Sequence, residues 1–369
     1  MTGATAGPGR QAVGRILGLD VLRGVAVGLV LIRHAWPDQF GGSGIVGVVM
    51  FFALSGYLIT GVLCGDLVKH GRIRYPRFYR NRALRLLPAL LALVTVFTIV
   101  EAVWNPLRDR ALLWHTAVIS LTYTMDVPGH WVVSDAMGHL WTLATEEQFY
   151  LLWPLLLAFA IRRGAVRSVA WAAAAGCLLL CLASVVIAWP LVYRVYDWPT
   201  CWAACLLIGA LARLSETRLR TLLAGQGLRT GATALAAVLL AAACLVPEPK
   251  NWPATYLVGA PIVAACTVVF ILRADGWATS VPVLARPLLG LGVVSYAAYL
   301  WNYPVVNWMG PQPLSAAKAL ASIVLTVVAA TASWWLVERP VARYRARLDS
   351  RRRTTTTAAE NPTVAERAR

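Results

Sequence analysis

The chain reads as long apolar stretches separated by short polar ones. A membrane crossing takes about 20 mainly apolar residues. Ten stretches meet that pattern, at roughly 16–35, 45–64, 84–103, 142–161, 168–189, 198–213, 230–246, 252–272, 288–308 and 315–337. The sixth is the shortest, and the eighth carries Pro261, which predicts a kink. The stretch 112–125 is apolar but short, so it is expected to lie along the interface or re-enter. The pattern predicts an all-α polytopic membrane bundle of about ten transmembrane helices.

Composition agrees. Hydrophobic residues make up 59% of the 369 positions and charged ones 14%, with a mean hydropathy of +0.63. So much apolar surface exceeds what one soluble core hides, which argues against an ordinary cytosolic enzyme. It also argues against a disordered chain. The net charge of +17 is informative through its placement. With the N-terminus inside, 27 of the 34 basic residues fall in six segments on the inner side. Arg108, Arg110, Arg194, Lys250 and Lys318 fall outside, and Arg23 and Arg33 lie within the first stretch. This asymmetry predicts cytoplasmic termini. Charge spread over six segments, with no one face carrying it, also excludes a nucleic-acid partner and points to anionic membrane lipid.

The skew toward arginine hints at a bacterial genome, and hence at a multi-pass protein of the bacterial cytoplasmic membrane. Residues 1–14 and 346–369 are expected to be disordered tails around a membrane domain at 15–345. No cleavable leader is expected, since the first apolar run holds Asp20 and Arg23. The seven cysteines sit almost entirely in apolar runs without further polar ligands, so no metal site is expected.

Charged groups at membrane depth are costly and usually functional. Arg23 and His34 are 11 residues apart in the first stretch. They therefore share one helix face, separated by about 16 Å along the axis. Together they suit a tunnel with a cationic end for an anionic ligand and an imidazole for proton chemistry. Alternatively, Arg23 snorkels inward and His34 marks the outer boundary. Arg33 is off that face and is expected to snorkel outward. Glu146 and Glu147 open the fourth stretch and point about 100° apart, so at most one faces the cavity of His34. His139 is a second candidate imidazole, or a capping residue. The second loop holds seven basic residues interleaved with Tyr75, Phe78 and Tyr79. That suits phosphate and adenine recognition, or ordinary inner-side charge.

Several segments taken together resemble the membrane-bound acyltransferase-3 family of O-acyltransferases. Arg23 and His34 resemble its Arg-x10-His signature. GIVGVVMFFALSGYLIT resembles its second span, and Arg82, Arg85 and Pro88 resemble its basic loop. Trp141, Glu146, Gln148, Phe149 and Tyr150 match its fourth-span motif. SYAAYLWNYPV resembles its ninth-span motif, and VERP ends the domain at Glu338–Pro340. The motifs come in the family's order over about 16–345.

The resemblance implies transfer of an acyl group, often acetyl, from acyl-CoA to a hydroxyl of a glycan, sugar or macrolide-type scaffold. It implies His34 as general base, oriented by Glu146 or Glu338, and Arg23, Arg82 and Arg85 on the CoA moiety. An acyl-histidine intermediate is the variant. Trp141, Tyr150 and Asn302 are candidate substrate contacts. Asn302 stands where many members have His, so no proton-transfer role carries over to it. No hydrolase-like domain follows the last span, so the expectation is a stand-alone member. The rival readings are a transporter or exporter, which the lack of internal repeats disfavours, and a non-catalytic membrane protein whose charges only pair.

Overall fold

The computed structural model describes residues 16–127 and 133–348, and these are helical with no strand among them. In chain order the helices are α1 (Leu17–Ala35), α2 (Ser43–His70), α3 (Tyr75–Val103), α4 (Leu113–Leu121), α5 (Trp141–Arg162), α6 (Val166–Ala188) and α7 (Ala203–Leu214). There follow α8 (Glu216–Leu222), α9 (Gln226–Cys244), α10 (Ala260–Arg273), α11 (Arg286–Val293), α12 (Ser295–Trp308) and α13 (Ala316–Ser333). Each of the ten apolar stretches contains helix. Among the described residues, six helical segments are long and apolar enough to cross a membrane: α2, α3, α6, α9, Thr255–Arg273 and Ala316–Leu348. A seventh is added if α11 and α12, bent 73° at their junction, count as one span. α1 and α5 fall outside the six because they carry ionisable residues: Asp20, Arg23 and Arg33 on one, Glu146 and Glu147 on the other. α7, at 12 residues, is short.

The stretch after α3 forms the nine-residue α4, too short to span. Pro261 does not break its helix. A π-helical turn at Thr255–Gly259 precedes it, and α10 continues with the proline in its first turn. A second π turn, Trp334–Glu338, likewise precedes Pro340, and the helix runs on to Leu348. A wider turn makes room for a ring that would strike the carbonyl four residues back. The helix thus extends past residue 346, where the C-terminal tail is expected to begin. The rest of that tail, and residues 1–14, lie outside the described residues.

α2 is the central helix, with 72% of its apolar window buried, against 11% for the peripheral α9. Lipid tails are as apolar as leucine, so helices in a bilayer associate through small residues that admit close backbone approach. Two glycine pairs do this here. A Cβ on Gly56 of α2 would lie 1.8 Å from the Leu206 carbonyl oxygen of α7, and one on Gly209 of α7 would lie 2.0 Å from that of Ala53. Gly24 of α1 and Gly292 of α11 are matched in the same way, at 1.9 Å from the Leu288 oxygen and 1.8 Å from the Asp20 oxygen. The second pair holds α1 against α11, and Gly47 of α2, where a Cβ would lie 2.4 Å from the Ala26 oxygen, holds α1 against α2, so the facing of Arg23 and His34 is fixed.

Candidate active site

α1 is unbroken from Leu17 to Ala35, so Arg23 and His34 stand on one rigid rod. Each opens into a different cavity. Arg23 lines a cavity of about 240 Å³ with Ser55, Arg82, Arg85, Glu146 and Tyr296. His34 lines one of about 880 Å³ with Arg33, His139, Trp141, Tyr196 and Tyr303. Val48 and Tyr299 line both, so the two cavities meet at those side chains.

In the arginine cavity, Arg82 sits between a ring and two carboxylates. Its guanidinium lies 3.4 Å from the centre of the Tyr150 ring, 3.5 Å from Glu147 and 4.0 Å from Glu146. Glu146 accepts hydrogen bonds from Ser55 Oγ at 2.8 Å and from Tyr150 Oη at 3.0 Å. Such buried charges are tolerated because each has a partner. Arg23 gives one guanidinium nitrogen to Asp20, 3.0 Å away on its own helix. Arg85 makes no ion pair among the described residues and is exposed toward the cavity it lines. Of the three arginines expected on an anionic ligand, Arg23 and Arg85 have free donors, while Arg82 organises the two glutamates.

In the other cavity, His34 is oriented by a carboxamide. Nδ1 of His34 lies 2.5 Å from Oδ1 of Asn302. Asn302 Nδ2 donates to Thr326 Oγ1 at 3.3 Å, and the Thr326 hydroxyl donates to the Ser322 carbonyl at 2.7 Å. Because Thr326 spends its one proton on Ser322, it must accept from the NH2 group of Asn302. The amide oxygen is then the atom facing His34. Nδ1 therefore carries the hydrogen, and Nε2 presents its lone pair. The Tyr303 ring, centred 4.7 Å from the imidazole, packs against it. His139 is the reverse tautomer, with Nε2 donating to the Leu300 carbonyl at 3.1 Å.

Several expectations change at this point. Glu146 bonds Ser55, Tyr150 and Arg82, and neither it nor Glu338, on the π turn that ends at Glu338, bonds His34. Asn302 is fully buried behind His34 and lines neither cavity, so it is not placed to touch a substrate. Tyr150 lines neither cavity and instead supports Arg82. Trp141 does line the His34 cavity. Arg33 does not simply snorkel, since it lines that cavity too. Four further side chains join the site: Ser55, Tyr299 and Tyr303, which lie inside the motifs that resemble the second and ninth spans of the family, and Thr326, which lies outside every motif. Each is a hydroxyl in an otherwise apolar helix, and that was the available signal.

Fold and site together define a multi-pass helical membrane protein with an arginine cluster lining one cavity and a tautomer-fixed histidine lining the cavity that adjoins it. The chain belongs to the membrane-bound acyltransferase-3 family, whose acyltransferase domain matches residues 16–339. It is 32% identical, over 91% of its length, to YrhL of Bacillus subtilis (strain 168), named as a candidate peptidoglycan O-acetyltransferase. It is 28% identical over 88% to the O-acetyltransferase OatA of Staphylococcus aureus (strain NCTC 8325 / PS 47). It is 29% identical over 88% to the peptidoglycan O-acetyltransferase OatA of Listeria monocytogenes. These matches cover 56%, 57% and 55% of those proteins, so the chain spans little more than half the length of the relatives it matches. No solved structure matches it significantly.

Proposed function

We propose that this protein is an O-acyltransferase of the bacterial cytoplasmic membrane. It moves an acetyl or other short acyl group from acyl-CoA to a hydroxyl of a glycan. All ten helical stretches cross the membrane, both termini are cytoplasmic, and residues 15–345 form the catalytic domain. The 27 basic residues on one side support that orientation. In this frame the arginine cavity faces the cytoplasm and the His34 cavity faces outward. The observation that carries the reading is the meeting of the two cavities at Val48 and Tyr299, with cations on one side and a free imidazole nitrogen on the other.

Acyl-CoA is here a substrate, and the residues fit it. Arg23 and Arg85 offer unspent N–H donors to its phosphates, and the Arg82–Glu146–Glu147 cluster holds the cavity's shape. On the other side, His34 Nε2 accepts the proton of the acceptor hydroxyl as its oxygen bonds to the thioester carbonyl carbon. The carbon–sulfur bond then breaks, and His34 returns the proton to the departing sulfur. Asn302 is the positioning residue, holding Nδ1–H so that Nε2 stays the basic atom. The glycan acceptor is supported by the names of the relatives and by the rings of Trp141, Tyr196, Trp198 and Tyr303 around His34. The test is the purified full chain in lipid nanodiscs, given radiolabelled acetyl-CoA and envelope glycan. Label is expected on the glycan with wild type and lost with His34→Ala. Equal labelling by both proteins would reject the reading.

A further inference from the structure

The His34 cavity contains positive charge that the acyl-transfer chemistry does not use. Arg33, the residue before His34, extends into the cavity, and Gly44 on α2 makes room for it. A Cβ on Gly44 would lie 2.9 Å from Arg33 Cγ, so only glycine lets the stem cross α2 there. Arg194, on the connection after α6, lines the same cavity. Among the described residues neither guanidinium has an ion pair or side-chain hydrogen bond. The wall also carries Lys250, Glu248, Asp197 and Asp135. Lys250 stands 3.8 Å from Glu248, Asp197 has a partner of its own, and Asp135 is exposed in the first turn of Asp135–Leu140. Two arginines from different elements, neither in an ion pair nor a side-chain hydrogen bond among the described residues and both on the wall of a ring-lined hollow, are an arrangement that can capture an oxyanion.

We infer that the acceptor is acidic: the outer cavity takes a sugar bearing a carboxylate or phosphate, which Arg33 and Arg194 bind so that a neighbouring hydroxyl meets His34. This rests on the acyl-transfer reading for the role of His34, but the anion site itself stands on Arg33, Arg194 and Gly44. A neutral hydroxyl donor would leave both guanidiniums unpaired in the complex, and the acid supplies what they lack. Because Arg33 adjoins the proposed base, the acid also sets which hydroxyl of the sugar is presented.

The experiment uses the full chain in nanodiscs and four probes: glucuronic acid, its methyl ester, glucose 1-phosphate and glucose. Binding is measured by calorimetry, and acetyl transfer from acetyl-CoA is measured separately on the same probes. The acids are expected to bind roughly 10- to 100-fold more tightly than their neutral counterparts, the scale of a charge-assisted hydrogen bond. That preference should fall toward unity in Arg33→Gln and Arg194→Gln and return in part with Arg33→Lys. Preference for glucuronic acid or for glucose 1-phosphate names the carboxylate or the phosphate as the natural anion. Equal binding of acid and neutral probes, including no binding by either, overturns the proposal. An anion preference without acetyl transfer to any probe or to envelope glycan keeps the anion site and rejects the acyltransfer reading.

Discussion

His34 and Asn302 are 268 positions apart in sequence and share a 2.5 Å hydrogen bond that joins the first helix of the bundle to α12. The bond has a direction, because Thr326 dictates which end of the Asn302 amide faces the imidazole. Replacing Asn302 with Ala should therefore lower kcat by about 10- to 100-fold, the usual cost of losing an orienting partner, with KM for acetyl-CoA little changed. Asn302→Asp adds a carboxylate that stabilises the imidazolium. The rising limb of the pH–kcat profile should then move to higher pH. A parallel fall in kcat with an unmoved profile would assign Asn302 a purely structural role.

His34 itself should be indispensable. His34→Ala is expected to cut transfer by at least about 10²-fold, the scale of a lost general base, while the protein inserts in the membrane in normal amounts. Wild-type enzyme mixed with labelled acetyl-CoA and no acceptor should release no burst of CoA and hold no label on His34. A stoichiometric burst with label on that residue would replace direct transfer with an acyl-histidine route.

The arginines of the inner cavity should separate by role. Arg85→Ala removes a cation with no ion pair among the described residues, so KM for acetyl-CoA should rise about tenfold with a smaller change in kcat. Arg82→Ala instead strands Glu146 and Glu147, and breaking a buried ionic group by removing one partner costs about 3–5 kcal/mol. Its signature is a lower unfolding temperature and a lower yield, read by size-exclusion fluorescence. Similar KM effects and normal stability in both variants would contradict this division.

The glycine pairs make a structural prediction independent of chemistry. Gly24→Val places a side chain where a Cβ alone would lie 1.9 Å from the Leu288 oxygen, so α1 and α11 must part. Overpacking of this kind costs about 1–3 kcal/mol. Because it displaces the helix that carries Arg23 and His34, activity should fall more than stability does. Gly231→Val on the peripheral α9, where an added Cβ meets nothing within 4 Å, is the control and should change neither.

The apolar pattern revealed where the helices are, and the 11-residue spacing placed Arg23 and His34 on one rod, because within a helix sequence spacing fixes the face. It did not show what those faces meet. Carboxylates at membrane depth are the obvious partners for His34 in the sequence, yet its partner is an amide 268 positions away. Glu146 was free in sequence to serve His34 but is bound by Ser55 and Tyr150. Such pairings follow from which helices touch, and that is set by single glycines such as Gly24 and Gly292, whose matching is invisible until both are placed. The position of Arg33 is hidden in the sequence for the same reason: the slot that Gly44 opens for it lies on another helix.

The contact of Val48 and Tyr299 between the two cavities has a bioenergetic consequence. On the proposed acyl-CoA reading, cavities that share these two lining residues would let a two-carbon fragment be handed from one aqueous face to the other while the bulky nucleotide stays behind. Group translocation of that kind draws its driving force from the thioester bond. It would proceed equally in vesicles with and without an imposed membrane potential, and a bilayer holding this protein would stay tight to ions between turnovers.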